Sequence, residues 1–182
     1  MTENLPETTV LLDAEQLHKR IEELARQISE HYKGAPVHCV CVLDNAFMFM
    51  ADLVRALDIP VTCHFVKPRL TQTTTDTGTN LEIFFSPEID VRGEQVLLVE
   101  CVIQSGITAE FLMRNLAARG AACVKLVALM DKQSARRVSL QPDFFGFLVG
   151  DEYLVGFGLG APQLGRNLPY IATVNRQAVA AG

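Results

Sequence analysis

The sequence predicts an α/β protein built on a parallel sheet flanked by helices, and three observations carry that expectation. Two continuous apolar runs, VHCVCVL at Val37–Leu43 and CVKLVALM at Cys123–Met130, have the composition of strands covered on both faces. A third run, VLLVE at Val96–Glu100, stands one helix-length before the second of these, so that Val96 to Met130 has the span of a single βαβ unit. The segments between the runs place apolar residues at helical rather than alternating spacing.

The elements follow in order. After a polar tail over residues 1–10, Asp13 is placed to cap a helix whose Leu17, Ile21, Leu24 and Ile28 step along one face. Gly34 and Pro36 end it ahead of the first buried run. A helix from Phe47 to Leu57 comes next, and Pro60 opens the strand VTCHFV. Composition then turns hydroxyl-rich in KPRLTQTTTDTGTN, which has almost nothing to bury and predicts a mobile loop or a loose hairpin. LEIFF at Leu81–Phe85 restores order, and a turn around Arg92-Gly93 leads into the strand VLLVE. A helix is expected over 107–119, with Phe111, Leu112 and Leu116 inward and Gly120 as its stop. From Pro142 to Val174 the chain is richer in Gly, Pro and aromatics with short strands, which predicts a small hood over the sheet. A single domain over 11–175 with a tail at 176–182 accounts for the whole.

Composition sets limits on function. At 182 residues the chain is long enough to bury roughly 70% of its unfolded surface in one core. A net charge of -5 argues against nucleic acid as a partner, since phosphate backbones demand concentrated basic surface. Cys39, Cys41, Cys63, Cys101 and Cys123 are odd in number, lie mostly in apolar runs and lack CxxC spacing, so they read as reduced, packed thiols. No signal pattern opens the chain and no apolar run reaches the ~18 residues of a membrane span, so a cytoplasmic protein without membrane association is expected.

The chemistry concentrates in VLLVECVIQSGIT, Val96–Thr108. A loop beyond the carboxyl end of a parallel strand, leading into a helix, is where α/β folds bind anions. Gly106 permits close backbone approach, Ile107 adds a backbone amide, and Ser105 and Thr108 add hydroxyls, a set that suits a phosphate monoester. By pattern alone, a simple capped turn explains the same residues.

The loop resembles that of purine phosphoribosyltransferases, V-L-[LI]-V-E-D-I-[IV]-D-[ST]-G-x-T. DKQSARR at Asp131–Arg137, PDFFGF at Pro142–Phe147, EYLVGFGLG at Glu152–Gly160 and GRNLPYIATV at Gly165–Val174 resemble, in order and spacing, segments of the hypoxanthine(-guanine) phosphoribosyltransferase family. The resemblance covers roughly residues 11–174. It implies a type I phosphoribosyltransferase fold with a C-terminal hood subdomain, and transfer of phosphoribosyl from PRPP to a 6-oxopurine in nucleotide salvage, with Mg2+ on the diphosphate and ribose. It also implies an oligomer, a homodimer or homotetramer.

Carried over residue by residue, the resemblance makes Ser105, Gly106, Ile107 and Thr108 the 5′-phosphate cradle and Glu100 the acid that faces the ribose hydroxyls and metal waters. Lys132 falls where a lysine donates to the purine 6-oxo group, Tyr153 where an aromatic stacks on the base, Leu154 where a carbonyl reads its edge, and Arg166 where an arginine meets pyrophosphate. Blander readings stand beside these: a solvated strand-end lysine, a hood core aromatic and a structural ion pair. Other positions depart from the family. Cys101 replaces a second acid, Gln104 the aspartate that handles the N7 proton, and Gly160 a metal-holding aspartate. Leu43-Asp44-Asn45 replaces Leu-Lys-Gly at the pyrophosphate pocket, and the loop offers Arg69, Leu70 and a threonine run in place of a closing Ser-Tyr pair. An amide can hydrogen-bond to N7 but accepts no proton at neutral pH. Two main functions are therefore expected: a transferase of weak or lost activity, or a non-catalytic nucleotide- or phosphate-binding regulatory or heteromeric subunit. A scaffold that binds nothing is the third.

Overall fold

The computed structural model describes residues 8–72, 79–85, 89–160 and 165–174. Its central sheet has six strands in the order β4-β3-β2-β5-β6-β7, where β2 is Val37–Val42, β3 Val61–Gln72, β4 Thr79–Phe85, β5 Gln95–Ile103, β6 Cys123–Asp131 and β7 Phe144–Leu148. Five of them run parallel, and β4 is an antiparallel edge. The helices are α1 (Ala14–Tyr32), α2 (Phe47–Ala56) and α3 (Ile107–Ala118).

Local sequence explains most boundaries. The Asp13 carboxylate accepts the Gln16 amide at 2.8 Å while the Gln16 side chain accepts the Asp13 amide at 2.9 Å, a reciprocal cap at the start of α1. From there Leu17, Ile21, Leu24 and Ile28 bury against one side of the sheet, together with Leu97, Val99 and Val127 from alternate strand positions. On the other side Val96, Leu98, Leu126 and Ala128 pack on α3. These buried runs match the expected strands.

Five expectations need correction. The strand expected to end at Val66 continues to Gln72 and pairs with β4, which is the hairpin of the two forms expected for the hydroxyl-rich segment; the threonine run at 73–75 lies outside the described residues. Pro68 is tolerated because β3 keeps register with β2 only to Val66 and has β4 as its partner beyond. Within α3, Ala109, Leu112 and Leu116 face inward, whereas Phe111 is 38% exposed, one residue off that stripe. The tail expected over 1–10 ends earlier, because β1 (Thr8–Leu12) pairs antiparallel with β9 (Ile171–Val174). With β8 (Tyr153–Val155) these form a three-stranded hood sheet that uses both ends of the described chain, so the hood does not begin at Pro142 as expected: β7 pairs parallel with β6 in the central sheet. Finally, Cys63 is exposed rather than packed, while Cys39, Cys41 and Cys101 are buried and all five thiols are free.

One topological feature places the site. From β2 the chain moves outward to β3, then crosses back so that β5, β6 and β7 extend the sheet the other way. The adjacent carboxyl ends of β2 and β5 thus lead into loops that part from each other, and the gap between them is where such sheets bind ligands.

Candidate active site

A cleft of about 240 Å³ opens at that gap, lined by Leu43 and Asn45 after β2, Pro68 of β3, Glu100 and Cys101 of β5, and the loop Gln104, Ser105, Gly106 and Thr108. The sequence-expected phosphate loop and Glu100 therefore share one cavity. Gly106 is the N-terminal boundary of α3 with φ +79°. A Cβ there would lie 2.9 Å from Val138 Cγ2 and 3.0 Å from Arg136 Cδ, so both conformation and space require glycine. Ser105 Oγ accepts the Ile107 amide at 3.4 Å, and the Ser105 carbonyl accepts the Arg137 amide at 2.9 Å. These contacts fix the loop at the start of α3, and a helix N-terminus beside a cleft is a favourable place for an anion. Gln104 is exposed at the cleft.

Glu100 and Cys101 behave differently although adjacent. The Glu100 side chain is 9% exposed and its Oε1 is buried with no hydrogen-bond partner. Burial pushes its pKa from an ordinary 4.5 up to about 7, partly offset by the nearby Arg136 guanidinium. Cys101 also borders the cleft, but its side chain packs in the main core on the opposite face of β5, where burial pushes its thiol well above the ordinary range. As a replacement for a ribose-facing acid, it leaves an apolar core position rather than a polar one.

The remaining expected residues fall into separate places. Lys132, 3% exposed, donates from Nζ to the Glu152 carbonyl and so ties the end of β6 to the hood strand β8. This is not the solvated strand-end lysine of the blander reading. Tyr153 is half-buried at the start of β8 against the small cluster of Val155, Ala172 and Val174. Leu154 points its side chain into the main core, and its backbone pairs with Thr173. Arg166 Nη1 donates to Asn45 Oδ1 at 2.9 Å and to the Gly158 carbonyl at 2.7 Å, both neutral oxygens. Gly160, with φ +131°, ends the described hood segment. Asp44 is half-exposed and ion-paired to Lys67 at 2.8 Å, so its negative charge is countered locally instead of standing bare at the pocket.

Sequence reasoning missed two participants. Arg136 pairs with Asp131, which is 1% exposed, and lies against Gly106 from beneath the cradle with a buried Nη1 that lacks a partner. The doubled arginine in DKQSARR was the available signal. Lys67 was hidden in a segment whose composition reads as loop. Among the described residues, no three His, Cys, Asp or Glu side chains gather to hold a metal, and the cleft lining offers one carboxylate, Glu100, kept partly protonated near neutrality. This donor set does not fit a resident Mg2+, which favours several ionised oxygens. No helix among the described residues is long and apolar enough to cross a membrane.

Comparison with known proteins agrees with this geometry. A phosphoribosyl transferase domain family model matches residues 7–161. The chain is 32% identical over 165 residues to the hypoxanthine-guanine phosphoribosyltransferase of Bacillus subtilis, covering 91% of this chain and 92% of that protein. A solved hypoxanthine-guanine phosphoribosyltransferase from Bacillus anthracis, with HEPES in its active site, matches with TM-score 0.86 at 32% identity, covering 93% of this chain and 100% of that one. The hypoxanthine phosphoribosyltransferase of Trypanosoma cruzi in complex with the product IMP matches with TM-score 0.85 at 28% identity, covering 97% of this chain and 98% of that one.

Proposed function

The chain belongs to the hypoxanthine-guanine phosphoribosyltransferase family, and from that premise we propose that it binds 6-oxopurine nucleotides at the Ser105–Thr108 cradle and transfers phosphoribosyl slowly. The observation that carries the proposal is that one cleft is lined by Glu100, the exposed Gln104 and the glycine-constrained loop Ser105, Gly106 and Thr108.

In this reading the loop amides, Ser105 and Thr108 hold the 5′-phosphate. Lys132, already held against the hood, donates to the purine 6-oxo group, while Tyr153 stacks on the ring and the Leu154 carbonyl reads its edge. Arg166 lies near the cleft through Asn45 and meets the departing pyrophosphate. Glu100, when ionised, accepts from a ribose hydroxyl. Magnesium, where needed, arrives as part of the PRPP substrate. Bond formation between the purine nitrogen and the ribose carbon breaks the bond from that carbon to the pyrophosphate oxygen, releases pyrophosphate, and requires the purine proton to pass to solvent water. Gln104 holds the ring by hydrogen bonding but takes no proton, and loss of such a group costs ~10²–10⁴-fold in rate.

The alternative reading, a non-catalytic nucleotide-binding regulatory or heteromeric subunit, is favoured by the same Gln104 together with the partly protonated Glu100. Two measurements decide. Calorimetry with IMP is expected to show micromolar binding without added metal, and its absence would refute both readings. Nucleotide formation from PRPP and hypoxanthine or guanine is expected to be slow and to rise about 10²-fold in Gln104→Asp. Turnover of the unaltered protein within tenfold of ordinary salvage enzymes would refute the slow reading; no turnover in either form would leave the binding subunit.

A further inference from the structure

The register of β2 and β3 sets an ion pair at the rim of the cleft. Val42 pairs with Val66, and the Leu43 amide donates to the Val66 carbonyl at 2.8 Å, which carries Asp44 alongside Lys67 just past the point where the two strands part. Lys67 Nζ contacts both Asp44 oxygens, at 2.9 and 2.8 Å, and each side chain is 52% exposed. Their chain neighbours Leu43, Asn45 and Pro68 line the cleft that also holds the cradle. Arg166 reaches the same rim through Asn45. Residues 44 and 45 thus each hold one cation, at a place separate from a loop, Gln104–Thr108, that carries no basic side chain of its own.

A half-exposed ion pair contributes little to stability and exchanges partners readily. A phosphoryl group, with more charge and more acceptor oxygens than a carboxylate, is the stronger partner for an ammonium. Resting on the reading that the cradle takes a ribose 5′-phosphate, we propose that Lys67 is a binding residue for the substrate's diphosphate and that Asp44 is an internal competitor that must give it up. The rim then receives the second anionic end of a donor whose first end sits in the cradle, with Arg166 as the neighbouring cation. Asp44 weakens this subsite in two ways, by occupying Lys67 and by repelling the incoming anion.

The two halves of the pair therefore act with opposite sign. Inorganic pyrophosphate is titrated by calorimetry at fixed ionic strength against the unaltered protein, Asp44→Asn and Lys67→Met, with IMP as control. Removing one unit charge at contact distance in a largely solvated setting changes anion affinity about fivefold. Asp44→Asn is expected to tighten pyrophosphate about fivefold and Lys67→Met to weaken it by at least as much, with IMP affinity unchanged in both. Same-direction changes, no change in either, or no pyrophosphate binding by the unaltered protein would overturn the inference while IMP binding stands. Failure of IMP binding with the opposite-sign pattern intact would overturn the nucleotide reading and leave the anion subsite.

Discussion

Replacing Glu100 with Gln removes a buried titrating group from the floor of the cleft, and its consequence can be worked from the structure. The carboxyl is 9% exposed with an unpartnered buried Oε1, and burial raises its pKa from 4.5 to about 7. In the unfolded chain the group ionises near its ordinary value; in the folded protein it stays protonated until about pH 7. The folded state therefore enjoys its full relative stability below pH 4.5 and loses it as pH rises towards 7. A displacement of roughly 2.5 pH units at about 1.4 kcal/mol each gives about 3–4 kcal/mol lost over that window. Glu100→Gln keeps the shape but does not titrate. Urea unfolding of both proteins between about pH 4.5 and pH 8 should show the variant gaining about 3–4 kcal/mol on the unaltered protein as pH rises. A constant offset across the range would refute the buried, partnerless carboxyl. The same titration bears on function, because ligand contacts that use the Glu100 carboxylate should tighten as pH passes through about 7.

Other expectations follow from the cradle and its support. Gly106→Ala forces a side chain into a positive φ, at ~1–2 kcal/mol, and drives its Cβ onto Val138 and Arg136; melting temperature should fall and IMP affinity should drop at least tenfold, and unchanged IMP binding would remove the loop from phosphate recognition. Arg136→Met leaves Asp131 buried without its ion-pair partner; stability measured by denaturant should fall by ~3–5 kcal/mol, and a loss under ~1 kcal/mol would show the pair to be idle. Thiol labelling of the native protein should modify Cys63 first, since it is exposed, while burial lifts the Cys39 and Cys41 thiols to about 12 and shields Cys101; equal rates for all thiols would contradict the packing. Restoring an acid at Cys101 is expected to impair folding, because that side chain lies in the core, whereas Gln104→Asp adds its charge at an exposed position.

Much of this protein was legible without coordinates, and the legible part shares a physical basis. Burial leaves its record as periodicity, so the one-faced stripe of α1, the two-faced apolar runs of β2, β5 and β6, and the glycine at the start of α3 could each be read from nearby residues. The loop Ser105–Thr108 could be picked out because its glycine and hydroxyls are close neighbours in the chain, and the structure sets Ser105, Gly106 and Thr108 along the cleft. What the sequence left open depends on partners distant in the chain. Pro68 reads as a strand breaker until β4 is seen to pair with that stretch. Asp44 reads as a bare reversed charge until strand register sets Lys67, 23 residues away, against it. Cys101 and Glu100 are neighbours that both border the cleft, yet alternate strand positions pack the Cys101 side chain into the main core and set Glu100 beside Arg136. Local pattern determined which segments are strands, helices and cradle; tertiary register decided which charges meet, because electrostatic pairing depends on distance in space and leaves no periodic trace along the chain.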